Sequence, residues 1–196
     1  MKIGVLALQG DFAEHITMLK GSGVEAIEVR FASQLNEVDG LIIPGGESTT
    51  IGKLAVDFGL LDHLREFGRK KPIWGTCAGA IFLSKDTHRT QPLLGLMNIE
   101  IERNAFGRQV DSFETDLEVP ELENLGPASG PYHAIFIRAP LISAVHGKAR
   151  SLATLPDSRI VAAQEGHWLA TSFHPELTGD DRFHRYFLSI IRNTLT

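Results

Sequence analysis

The sequence predicts an α/β protein: a three-layer, doubly wound fold around a mostly parallel sheet, with additional antiparallel strands in the second half. Three observations carry this. Short runs of Ile, Val and Leu recur and end at glycine or proline, as strands buried on both faces do. Between them lie stretches with apolar residues three and four apart, the spacing of helices with one apolar face. Strands alternating with helices imply right-handed βαβ units and a sheet covered on both sides. The chain of 196 residues, 43% hydrophobic and 22% charged, is long enough for a sizeable core. At roughly 150 residues per domain it is expected to form one domain over 1–196.

Element by element, Lys2 to Leu8 reads as a first strand stopped by Gly10, and Phe12 to Lys20 as a helix. Val24 to Val29 and Gly40 to Ile43 are the second and third strands, the latter forced into a turn by Pro44-Gly45-Gly46. Pro72 to Thr76 is the fourth. Before it, Leu54, Phe58, Leu61, Leu64 and Phe67 mark helix, with Gly59 and Gly68 as punctuation. From Leu96 onward Met97–Ile101, Phe113–Val119, Ala134–Arg138, Ile160–Ala163 and Trp168–Ser172 are short and joined by turns; these are the extra strands. A last helix spans Asp181 to Arg192, with Asp180 and Asp181 as its cap. Internal repeats, low-complexity segments and linkers are absent.

Nineteen basic and 24 acidic side chains give a net charge of −5 without any basic run, which argues against a nucleic-acid partner. The apolar stretch after Lys2 breaks at Gln9, too soon for a signal peptide or a membrane span. One cysteine cannot close an intramolecular bridge, so a reducing, cytoplasmic setting is expected and Cys77 is left free for chemistry.

Gly75-Thr76-Cys77-Ala78-Gly79 follows a buried strand and precedes the apolar run Ala80 to Leu83, the strand–turn–helix context of a nucleophile elbow with Cys in place of Ser. Its glycines suit a strained turn with backbone close by, and the helix N-terminus favours a thiolate. A buried cysteine in a tight turn is the plainer alternative. His174-Pro175-Glu176 offers a base and an orienting acid: Pro175 pushes His174 into extended geometry, where residues two apart project to one side. Standing alone, it would read as a loop histidine beside a solvated glutamate. Pro44-Gly45-Gly46-Glu47-Ser48-Thr49 lies at the carboxyl end of a strand, where ligands bind in open α/β sheets. Backbone N–H groups there could serve an oxyanion together with that of Ala78. A phosphate loop fails because a Walker A motif would need Gly at Glu47 and Ser or Thr at Leu54. A glycine turn with a helix cap at Ser48 or Thr49 remains open. No metal-binding pattern occurs.

The Gly-Gly loop, the cysteine elbow and the late His-Pro-Glu, in this order, resemble the class I (triad) glutamine amidotransferases, a flavodoxin-like fold, over nearly the whole chain. Within that superfamily, six segments resemble the glutaminase subunits of pyridoxal 5′-phosphate synthases: Ala7–Gly10, Pro44–Thr50, Gly75–Gly79, Glu102–Gln109, Phe136–Pro140 and Ser172–Glu176. The resemblance implies that Cys77 attacks the side-chain amide of L-glutamine, that His174 protonates the departing ammonia and that Glu176 orients His174. It implies a glutamine pocket of Gly46, Glu47, Ser48, Arg103, Ile137 and Arg138, with an oxyanion hole at Gly46 and Ala78. It further implies a partner, a (β/α)₈-barrel synthase subunit in a hetero-oligomer, to which ammonia passes. Pyridoxal 5′-phosphate is then the product of the complex and no cofactor of this chain. Gln9 to His15 is a candidate docking segment on the same grounds. Four other classes compete, one of them a non-catalytic binding module on this fold, which would turn over no amide. A glutaminase subunit of another ammonia-using synthase would share the site, and a DJ-1-like thiol protein would need only the elbow. An α/β-hydrolase-like esterase would carry its acid before the histidine, whereas Glu176 follows it.

Overall fold

The computed structural model describes residues 1–103 and 112–195. Five strands in the order of a flavodoxin-like sheet form its centre: β1 (Lys2–Leu6), β2 (Glu25–Val29), β3 (Gly40–Ile43), β4 (Ile73–Thr76) and, much later in the chain, β12 (Trp168–Thr171). They run β2-β1-β3-β4-β12, every adjacent pair parallel. Their side chains alternate between two cores, as strands buried on both faces must. Ile42 and Trp74 face one layer, and their neighbours Leu41, Ile43 and Ile73 face the other.

Helix α1 (Phe12–Gly21) and the C-terminal α5 (Arg182–Leu195) cover the first face through Leu19, Phe183, Phe187 and Ile191. Helices α2 (Ser48–Asp57), α3 (Leu61–Lys70) and α4 (Ala78–Leu83) cover the second through Ile51, Ala55, Leu64, Phe67 and Phe82. Each Phe or Leu fully sealed in this way contributes roughly 1.5–3 kcal/mol of burial free energy.

The sheet continues past β12 through β11 (Ile160–Glu165), β9 (Leu141–Val145), β6 (Met97–Glu102) and β5 (Ser84–Asp86), with β10 (Arg150–Thr154) on β11. Antiparallel pairs dominate here: β11 with β12, β9 and β10, and β6 with β9, while β5 and β6 are parallel. A separate antiparallel ribbon of β7 (Ser112–Leu117) and β8 (Tyr132–Ile137) lays Tyr132, Ala134 and Phe136 onto the first core. Among the described residues no helix is long and apolar enough to cross a membrane.

Three local expectations need correction. Gly59, as expected, punctuates the helical stretch before β4, parting it into two helices at a left-handed φ of +66°. Phe58 ends the first of them and stands exposed rather than on an apolar face. Gly68 punctuates nothing. It lies inside α3, where an added Cβ would come within 2.3 Å of Leu96, and its carbonyl accepts from Trp168 Nε1 at 2.6 Å. Asp180 does cap α5, accepting from the Arg182 N–H at 3.0 Å, but the Asp181 side chain pairs with Arg185 at 2.8 Å instead.

Candidate active site

Because β1, β3, β4 and β12 are mutually parallel, their carboxyl ends open at one edge, and the four loops that follow them meet there. They carry Gln9 and Asp11, Gly45-Gly46, Cys77, and His174. The meeting is close enough that side chains would obstruct it. An added Cβ on Gly45 would sit 2.5 Å from His174 Cε1, and one on Gly46 2.5 Å from Gln9 Oε1.

Cys77 follows β4 directly and holds φ 47°, ψ −106°, a strained conformation for a residue with a Cβ. The strain is over-determined by its surroundings. The Cys77 N–H donates to Thr171 O of the neighbouring strand at 2.8 Å. The flanking glycines are required by packing: a Cβ on Gly79 would lie 1.9 Å from Ile43 O, and one on Gly75 2.4 Å from Gly79 O. This is the elbow the sequence predicts, and it aims Cys77 into a cleft of about 440 Å³.

His174 follows β12, its N–H donating to Ile135 O of β8 at 2.8 Å. Nδ1 donates to Glu176 Oε1 at 2.7 Å, and the Cys77 thiol lies close enough to the ring to act on its charge. The two residues meet by a different route from the expected extended segment, because Pro175–Leu177 is a turn of 3₁₀ helix that swings Glu176 under the ring. Burial opposes a charge on His174. The hydrogen bonds and negative charge offered by Cys77 and Glu176 outweigh it and push the imidazole up to about 10. Glu176 is itself pushed up by burial, with His174 pulling the other way. The Asp11 carboxylate stands 3.6 Å from His174 Nδ1. Asp11, His174 and Glu176 bring ligand-type atoms within 4.8 Å of one another, and the His174–Glu176 bond accounts for that grouping without an ion.

The remaining expected residues line the same cleft: Gly46, Glu47, Ser48 and Ala78 from the β3 and β4 loops, Arg103 after β6, and Ile137 and Arg138 at the end of β8. Glu47, rather than Ser48 or Thr49, caps α2, accepting from the Thr50 N–H at 2.8 Å, and its other oxygen meets Arg103 at 2.8 Å. Burial is the largest single influence and raises the Glu47 carboxyl, but the donors from Thr49 and Thr50 together outweigh it and lower it to about 2. Arg103 also donates to Gln91 Oε1 at 3.2 Å. Arg138 is held at a left-handed φ of 42°. Of the segment Glu102–Gln109, positions 104–109 lie outside the described residues.

Gln9 and Asp11, from the expected docking segment, line the cleft, and the Gln9 side chain accepts from the Glu47 N–H at 2.7 Å. His15 is not on a surface at all, being fully buried. The position of Gln9 just beyond β1 is a signal that the carboxyl-edge rule could have used.

A doubly wound α/β fold thus brings a cysteine elbow, the histidine that follows the adjacent strand and two arginines to one cleft. The SNO glutamine amidotransferase family model matches residues 5–193, and this chain belongs to that family. It is 57% identical over 195 residues to the pyridoxal 5′-phosphate synthase subunit PdxT of Herpetosiphon aurantiacus, covering 97% of this chain and 100% of that protein. It is 55% identical over 195 residues, with the same coverage, to the protein of that name from Moorella thermoacetica. A solved structure described as a glutamine amidotransferase superposes with a TM-score of 0.88 at 49% identity, over 97% of this chain and 98% of that one.

Proposed function

We propose that this chain is the glutaminase subunit of a glutamine-dependent pyridoxal 5′-phosphate synthase, working through Cys77, His174 and Glu176. The observation that carries the reading is the alignment of a strained, cleft-facing cysteine with a histidine whose far nitrogen is held by a buried carboxylate.

The Cys77 thiolate attacks the amide carbon of L-glutamine. His174, charged as imidazolium beside it, gives its proton to the departing nitrogen, so ammonia leaves and a γ-glutamyl thioester remains. The neutral ring then takes a proton from water, whose oxygen adds to the thioester; glutamate departs and the thiolate is restored. Glu176 fixes the ring and supports its positive charge. Backbone N–H groups at Gly46 and Ala78 serve the developing oxyanion. Arg103 and Arg138 suit the substrate carboxylate, with Glu47 suited to its ammonium group and Ser48 and Ile137 completing the pocket.

The relatives named as pyridoxal 5′-phosphate synthase subunits support a second part of the reading, that the chain works within a multi-subunit synthase; by resemblance, its ammonia passes to a (β/α)₈-barrel subunit in a hetero-oligomer. The lone cysteine and the acidic, evenly spread charge support a cytoplasmic setting. Mixing the purified chain with its synthase should raise glutamine hydrolysis and yield pyridoxal 5′-phosphate from glutamine. Full hydrolysis by the isolated chain, unchanged by the synthase, would favour a stand-alone amidase.

A further inference from the structure

Behind Glu176, on the side away from the cleft, lies a sealed row of polar groups that the reaction above does not use. Glu176 Oε1 is taken by His174, while Oε2 is buried without an aligned hydrogen bond among the described residues. His15 Nε2 from α1 stands 3.3 Å from that oxygen and 3.2 Å from Thr76 Oγ1, one residue before Cys77. On its far side, His15 Nδ1 meets His184 Nε2 of α5 at 3.0 Å, and His184 Nδ1 has no partner among the described residues. Both histidines are fully buried. The Trp74 ring stands edge-on to them, 5.7 Å from His15 and 5.0 Å from His184 between centroids.

The contacts select one proton arrangement. If His15 carried its proton on Nδ1, its bare Nε2 lone pair would face the Glu176 carboxylate at 3.3 Å, and His184 would be left with an N–H buried without an acceptor. With the proton on Nε2 of each ring, His184 donates to His15, His15 directs its N–H toward Glu176 Oε2 and Thr76, and the unpaired atom becomes a bare nitrogen, the cheaper of the two to leave unpaired. Burial lowers both rings, His184 to about 3, so they stay neutral and do not repel the His174 imidazolium.

We infer that His15, held in its Nε2–H form by His184, is a positioning residue that fixes the Glu176 carboxylate and, through it, the ring of His174. The groups facing His15 are Thr76 from β4, His184 from α5, and Glu176 with His174 from the loop after β12. His15, Thr76, His184 and Glu176 do not line the cleft, so the effect belongs on turnover and not on glutamine binding. The inference deepens the proposed glutaminase reading and rests on it.

Two experiments test it. In the complex with the synthase, His15→Ala should lower kcat about ten- to a hundredfold with KM for glutamine within about twofold, the usual cost of an orienting partner. His15→Gln, whose amide N–H can take the place of Nε2–H, should recover most of the loss. Equal damage in both variants, or an unchanged kcat in His15→Ala, overturns the inference. Nitrogen-15 NMR of histidine-labelled wild-type chain provides a readout that needs neither activity nor a stable variant. His15 should be neutral and protonated at Nε2 between about pH 5 and 8. An Nδ1–H or charged His15 overturns the relay even if glutaminase activity is confirmed. A correct tautomer in a complex that hydrolyses no glutamine would sink the glutaminase reading and leave the hydrogen-bond row standing.

Discussion

Glu176 and Glu47 flank the same cysteine-bearing cleft from opposite environments. The Glu176 side chain is wholly buried, whereas that of Glu47 is 45% exposed. Burial raises Glu176 and makes it depend on fixed neighbours; hydroxyl and backbone donors at the start of α2 lower Glu47 and keep it charged in contact with water. A sealed carboxylate suits a permanent partner such as His174, since leaving either half of such a pair unmatched costs several kcal/mol. A rim carboxylate paired with Arg103 can exchange that partner for a ligand, because exposed pairs are worth only about 0–1 kcal/mol. On the proposed reading, the chemistry belongs to the sealed side and substrate exchange to the rim.

Changes on the sealed side should be the most severe. Cys77→Ala should abolish glutamine hydrolysis in the synthase complex, with circular dichroism and thermal unfolding close to wild type, and His174→Ala should collapse turnover comparably. Wild-type rates in either would mean the wrong nucleophile or the wrong acid–base group.

Substitution of the two carboxylates breaks the comparison directly. Glu176→Gln should cost up to about ten-thousandfold in kcat, as loss of an orienting acid does elsewhere. Glu47→Gln should act mainly on KM. Its effect on stability should stay within about 1 kcal/mol, since the side-chain oxygen can still accept from Thr50. If Glu47→Gln proves the larger defect in kcat, the division between sealed core and rim is wrong.

A milder loss is expected at the arginines. Arg138→Ala and Arg103→Ala should raise KM for glutamine with little change in thermal unfolding. A large stability loss at Arg138 would make it structural, a role its left-handed backbone could otherwise serve.

The smallest effect is on stability against pH, and its sign differs by group. His174 is raised from 6.5 to about 10, so its contribution is full below 6.5 and fades as pH rises toward 10. His184 is lowered from 6.5 to about 3, so its contribution is full above 6.5 and is lost as pH falls toward 3. Thermal unfolding across pH should therefore show losses on both flanks, and Cys77→Ala should flatten the alkaline one by removing the thiol that helps to raise His174.

The parallel half of the fold was legible because each strand is a short apolar run closed by glycine or proline. The elbow was legible because glycine two residues on each side of Cys77 answers a real backbone contact. The strands Ser84–Asp86, Leu141–Val145 and Arg150–Thr154 were not, since short, partly exposed strands with polar residues carry no such run. The cleft residues Arg103, Ile137 and Arg138 were reached through resemblance, because they come from loops far apart in the chain, whereas the Gly46-Glu47-Ser48 loop already stood out at the carboxyl end of a strand. His15 was misread as a docking residue for the opposite reason: nothing local in Glu14-His15-Ile16 says that this face of α1 lies against Glu176 and His184. Spacing along one helix reports which residues face inward, but not which polar groups wait there.

The central claim, that Cys77 carries the acyl group with its partner histidine held from behind, is tested most directly by intact-mass measurement of the synthase complex quenched during turnover of glutamine. The wild-type chain should gain one γ-glutamyl group, labile to hydroxylamine and mapped to its single cysteine, and Glu176→Gln should gain it far more slowly. Undiminished glutamine hydrolysis by Cys77→Ala, or an acyl group on any other residue, would contradict it.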